Sequence, residues 1–144
     1  MGSHGEGNLV SKHRTDSRTR VLVAEDDPHA LSGYLEFLTI GGFEAVGASN
    51  GTDALYLAFE SIPHVVVTDV AMPGLDGFAL AICLREDSRT HGIPVIGMTA
   101  HWTADVRAAA VRAGVEALLL KPCLPAHLVA EVRRAIDRVS TAHP

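Results

Sequence analysis

Cysteine and lysine each occur only twice in this chain of 144 residues, and long apolar runs are missing altogether. Cys83 and Cys123 form no metal-type cluster; both read as reduced thiols of a cytosolic protein, and no disulfide is expected. No stretch approaches the ~20 apolar residues that a bilayer-spanning helix requires, and the N-terminal sequence lacks a signal-peptide core. The body of the chain offers no basic groove for nucleic acid either. Formal net charge is −5, with +2 on residues 1–20 and therefore −7 on the remainder. The basic stretch reads as a solvated tail, and its opening Met-Gly-Ser-His-Gly-Glu-Gly as an expression remnant. After residue 20 there is no internal repeat, linker or low-complexity segment.

What is present points to one compact domain. Hydrophobic residues make up 47% of the chain, enough for a real core at this length. Val21–Ala24, Val65–Val67, Ile93–Ile96 and Ala117–Leu120 are nearly continuous in hydrophobicity, as strands buried on both faces are. Phe43–Ala48 alternates more and reads as an edge strand. Between these runs apolar residues return at helical spacing: Leu31, Tyr34, Leu35 and Leu38, then Leu128, Val132, Ile136 and Val139. Gly41-Gly42 is expected to end the first helix, Asn50-Gly51 to open the second and Gly77 to begin the third. Thr103 is expected to cap an Ala-rich, loosely packed fourth helix. Five β-α units predict an α/β fold with a doubly wound parallel sheet and helices on both faces. The expected boundaries are a tail at 1–19, a domain at 20–140 and a C-terminal tail at 141–144.

In such a sheet, ligands bind beyond the carboxyl ends of the strands. Those ends carry Glu25-Asp26-Asp27, Asp69, Thr99 and Lys121. Crowded carboxylates repel by roughly 4 kcal/mol per pair at ~4 Å and an effective dielectric of about 20. A hard cation with oxygen ligands resolves that repulsion, and Mg2+ suits a site built from one or two carboxylates. Of ten arginines and two lysines, Lys121 is the only lysine outside the tail. Its ammonium is a compact charge for one phosphate oxygen or carboxylate. Thr99 adds a hydroxyl. Together these groups describe phosphoryl transfer to a carboxylate, with Asp69 as nucleophile.

The residues Val21-Leu-Val-Ala-Glu-Asp-Asp-Pro28, Asp69-Val-Ala-Met-Pro-Gly-Leu-Asp-Gly77, Ile96-Gly-Met-Thr-Ala100 and Lys121-Pro122 resemble two-component response regulator receiver domains, the family of the chemotaxis protein CheY. The likeness covers about residues 20–140. It implies a flavodoxin-like sheet in the order 2-1-3-4-5 and a cis Lys121–Pro122 bond. It implies a signalling switch in which Asp69 receives a phosphoryl group from a histidine kinase or phosphotransfer protein. Asp26, Asp69 and the carbonyl of Ala71 would hold Mg2+, with Glu25 acting through water. Thr99 would be the switch residue, and a surface around the fourth helix and fifth strand would meet a downstream protein, an output domain or a second copy. The domain would assist its own phosphorylation and dephosphorylation without being an enzyme in the ordinary sense. One departure stands out: the family usually has Tyr or Phe where this chain has Leu118.

Three readings compete. The first is the switch. The second is an Mg2+-dependent phosphatase; the haloacid dehalogenase family places a second acid two residues after its nucleophile, where this chain has Ala71. The third is an interaction module with a vestigial acidic site. Asp27 and Asp76 read as solvated loop acids, the eight histidines as incidental, and Met72 and Met98 as packing residues. His101 and Trp102 read as an exposed loop. No DNA-binding or catalytic output domain is expected within the chain, and a stand-alone receiver or a piece of a larger regulator or hybrid kinase fits equally.

Overall fold

The computed structural model describes residues 18–142, so the expected tails at 1–19 and 141–144 lie almost wholly outside the described residues. Five strands alternate with five helices. They run β1 (Arg20–Ala24), α1 (Pro28–Ile40), β2 (Glu44–Ala48), α2 (Gly51–Ser61), β3 (Val65–Asp69), α3 (Gly77–Glu86), β4 (Val95–Thr99), α4 (Ala104–Ala113), β5 (Ala117–Leu120) and α5 (Pro125–Ala142). All strand pairs are parallel, and the sheet order is β2-β1-β3-β4-β5. The doubly wound sheet with β2 at one edge therefore matches the expectation.

Successive side chains of a strand point to opposite faces, and here both faces are covered. Val21 and Val23 of β1, Val65 and Val67 of β3 and Ile96 and Met98 of β4 pack with Leu38 of α1 and Leu128 and Val132 of α5. Leu22, Ala24, Val66 and Val95 face the other way, against Ala54 and Ala58 of α2, Leu80 and Leu84 of α3 and Ala113 of α4. This two-sided burial explains why the strands read as unbroken apolar runs. In α4 only Ala110 and Ala113 are buried, in keeping with a loosely packed helix.

Side-chain caps fix where the helices start. Asn50 accepts the Asp53 N–H at 2.8 Å, and Thr103 accepts that of Val106 at 3.1 Å. Asp76, expected to be a solvated loop acid, instead caps α3 by accepting the Ala79 N–H at 2.8 Å. The fourth strand also differs from its expected bounds of 93–96. Pro94 lacks an N–H and precedes the strand, although its carbonyl accepts from Val66 N–H at 3.0 Å. The ladder then continues through Gly97 to Thr99.

One histidine is not incidental. His64 donates its N–H to the Arg20 carbonyl at 2.9 Å, while its ring Nδ1 accepts the Arg20 N–H at 3.0 Å. The ring thus stands in for a backbone carbonyl at the start of β1. The Arg20 guanidinium completes this clasp by donating to the carbonyls of Ser61 and Ile62 at 3.1 and 2.9 Å.

Candidate functional site

The carboxyl ends of β1 and β3 carry acids for which the sheet itself fixes the position. Glu25 follows β1, and its N–H donates to Ala48 of β2 at 3.1 Å, continuing the ladder one residue further. Asp69 is the last residue of a fully buried β3 and is only 7% exposed. The chain leaves Asp69 under tight control. Val70 N–H bonds to Met98 of β4 at 2.8 Å, and Gly77 N–H returns to the Val70 carbonyl at 3.0 Å. A Cβ on Gly77 would stand 2.3 Å from the Asp69 carbonyl oxygen, so only glycine lets α3 begin against this backbone.

Glu25, Asp26 and Asp69 each bring a carboxylate oxygen within 4.8 Å of the others. Glu25 is 1% exposed, whereas Asp26 is open to solvent. Lys121, directly after β5, reaches over the end of β4 to both buried acids. Its Nζ donates to Glu25 Oε1 at 3.1 Å and to Asp69 Oδ2 at 3.3 Å. The second Glu25 oxygen accepts the Asp27 N–H at 3.0 Å. Lys121 is itself held by its backbone N–H on the Thr99 carbonyl at 2.7 Å, and the Lys121–Pro122 bond is cis.

Three carboxylates facing one ammonium leave the cluster short of positive charge. At ~5 Å and an effective dielectric of about 20, each like pair costs roughly 3 kcal/mol. The ionisation of the buried pair reflects that shortage. Burial pushes the Glu25 carboxyl above its usual value and the nearby Asp69 charge adds to it, outweighing the Asp27 N–H and Lys121. For Lys121 burial acts downward, but its hydrogen bond to Glu25 and the charges of Asp69 and Glu25 prevail, and its pKa rises. Both groups hold their protons more firmly than usual. The donor set is all hard oxygen, near a solvent-exposed side, which fits Mg2+ rather than a softer metal.

The structure thus brings Glu25, Asp26, Asp69 and Lys121 together. Ala71 is exposed, two residues beyond Asp69. Thr99 ends β4, one register step past Met98, the partner of Asp69, and is buried. Its hydroxyl is engaged with His101, accepting the N–H at 3.0 Å and donating to the carbonyl at 3.2 Å. Leu118 lies further back, paired with Gly97 in the middle of β5 and half-buried. The cap on Asp76 and the approach of Gly77 to Asp69 are positioning features that sequence reasoning missed. The Asp-Gly pair between a strand and a helical stretch was the available signal.

Comparison with known proteins agrees with this geometry. Residues 21–133 match the response regulator receiver domain family. The transcriptional regulatory protein PrrA of Mycobacterium tuberculosis is 37% identical over 119 residues, covering 83% of this chain and 50% of PrrA. The chain thus spans about half the length of this relative. A response regulator receiver domain protein from Clostridium thermocellum superposes with a TM-score of 0.80 at 28% identity, covering 86% of this chain and 98% of that one. Vibrio cholerae CheY4 shares the fold at 24% identity, with a TM-score of 0.80 over 83% of this chain and 99% of CheY4. With the match running through both β1 and β3, which carry the acids, the chain belongs to the response regulator receiver domain family of two-component signalling.

Proposed function

We propose that Asp69 is the phosphoacceptor of this receiver domain and that Glu25, Asp26, Thr99 and Lys121 serve the transfer. The observation that carries this reading is the Lys121 ammonium, 3.3 Å from Asp69 Oδ2 and 3.1 Å from Glu25 Oε1. An Asp69 oxygen attacks phosphorus in the phosphoramidate of a phosphorylated histidine. The P–O bond forms as the P–N bond breaks, and the imidazole nitrogen keeps the electron pair and takes a proton from solvent. Lys121 follows the developing charge onto the phosphoryl oxygens, a positioning and electrostatic role. Thr99 supplies a hydroxyl donor at the end of the adjoining strand.

Asp26, Asp69 and the Ala71 carbonyl would hold Mg2+, with Glu25 acting through water. Bound there, the cation would neutralise charge on the carboxylates and phosphoryl oxygens. Water attack on the aspartyl-phosphate would return the carboxylate and release inorganic phosphate, so the domain assists both directions of its own cycle. Partners of the whole protein are proposed to be a cytoplasmic histidine kinase or phosphotransfer protein and a downstream protein or output domain, with a homodimer as one form. No helix among the described residues is long and apolar enough to cross a membrane. Residues 20–140 are proposed as the receiver unit, flanked by the tails.

The test uses acetyl phosphate, whose transfer leaves acetate. With Mg2+ the protein is expected to gain one phosphoryl group, and with chelator far less. Equal labelling with and without chelator would overturn the metal assignment, and undiminished labelling of Asp69→Asn the assignment of Asp69.

A further inference from the structure

Four residues separate the end of β4 at Thr99 from the start of α4 at Ala104, and two of them are fixed at definite points. His101 is held by both of its backbone polar groups to the Thr99 hydroxyl. Thr103 is held as the α4 cap through its bond to Val106 N–H. Between these anchors stands Trp102, the single tryptophan of the chain and 46% exposed.

Two surface grooves share Trp102 and Leu118 in their walls. One, of about 240 Å3, runs along α4 past Ala110 and Val111; the other, of about 360 Å3, runs past Leu120 to His127 and Glu131 of α5. The indole therefore has open space on two sides. Leu118 does not. A Cβ on Gly97 would stand 3.1 Å from Leu118 Cδ1, so the leucine is seated directly on the β4 backbone. It also has no hydroxyl or ring dipole through which to follow a change at Thr99. The exposed aromatic side chain that follows Thr99 is on the connector, three residues on, and not on β5.

Thr99 has one hydroxyl proton, and it is spent on the His101 carbonyl. A phosphoryl group on Asp69, in the neighbouring strand, would offer charged acceptor oxygens, and a hydrogen bond to a charged acceptor is about twice as strong as a neutral one. Turning to it, the hydroxyl would release the His101 carbonyl and free the N-terminal anchor of Trp102. We infer that Trp102 is the residue through which the state of Asp69 reaches the surface, its indole changing position between the two grooves that flank Leu118. The inference rests on Asp69 being the phosphoacceptor.

The experiment uses the chain with acetyl phosphate and Mg2+, following phosphoryl incorporation by intact mass and Trp102 by emission and acrylamide quenching in the same samples. The wild type is expected to show an emission shift and altered quenching in proportion to phosphoryl groups gained. Per phosphoryl group incorporated, Thr99→Ser keeps the response because it keeps the hydroxyl, and Thr99→Ala loses it. A labelled wild type with unchanged Trp102, or Thr99→Ala responding per phosphoryl group as the wild type does, overturns the inference while leaving Asp69 as phosphoacceptor. Failure of any label to enter the wild type overturns both.

Discussion

Lys121 reaches two acids at the ends of two other strands, and neither acid has another cationic side chain bonded to it among the described residues. Removing the ammonium would leave Glu25 and Asp69 buried with uncompensated charge. Lys121→Met is therefore expected to destabilise the metal-free protein at neutral pH by about 3 kcal/mol, read from urea unfolding. It is also expected to slow labelling by acetyl phosphate about 100-fold, since one donor to developing charge is lost. Stability and labelling rate both like wild type would show that Lys121 does neither. His64 acts through a different rule. Burial and the Arg20 charge lower its pKa, and its Nδ1 accepts the Arg20 N–H in the unprotonated form. The unfolded chain then takes up the proton first, so this contribution is complete above the ordinary value near 6.5 and is lost as pH falls from there through the folded value. His64→Asn retains an acceptor that does not titrate. Thermal melts are expected to converge or cross between the variant and wild type as pH falls from 8 to 5; a constant difference would show that the ring's ionisation plays no part.

At the scale of elements, the β3–α3 connection matters most. Gly77 at a helix start would ordinarily gain from substitution by Ala, by about 1 kcal/mol of helix propensity. Here the added Cβ would meet the Asp69 carbonyl at 2.3 Å, and the clash wins. Gly77→Ala is expected to cost about 1–3 kcal/mol and to reduce labelling of Asp69; a more stable, fully labelled variant would refute that close approach. Asp76→Ala is expected to cost about 1 kcal/mol through loss of the cap alone. These elements also show how far the sequence could be read. Strands flanked by helices on both sides leave unbroken apolar runs, so β1, β3 and β5 were legible, and Asn50 and Thr103 announced their caps. The start of β4 was not, since Pro94 shares the hydrophobicity of the strand but not its N–H. Asp76 looked like any loop acid because a cap is defined by the helix it meets. His64 gave no signal, because its partner lies 44 positions away. The acids and Lys121 were legible for the opposite reason: a parallel sheet gathers its strand ends whatever their separation in sequence.

Taken whole, the molecule is a two-sided core that holds mutually repelling charges at one edge of its sheet. Asp26 is the exposed member of the acidic group and bears on this balance without filling core space. Asp26→Asn is expected to raise Tm in the absence of metal, by about 4 °C for each kcal/mol of repulsion removed. Mg2+ at 100 times its dissociation constant is expected to stabilise the wild type by about 2.7 kcal/mol and Asp26→Asn by much less. Equal Mg2+ shifts in the two proteins would remove Asp26 from the metal site. The chain spans about half the length of PrrA, and a downstream protein or an output domain is the proposed recipient of the signal. The proposed signal starts from one carboxylate, Asp69. The decisive measurement is to treat the protein with acetyl phosphate and Mg2+ and locate the phosphoryl group by peptide mapping. It is predicted on the peptide that carries Asp69 and absent from Asp69→Asn; a phosphoryl group on Asp26, Glu25 or a histidine, with Asp69 unmodified, would contradict the assignment.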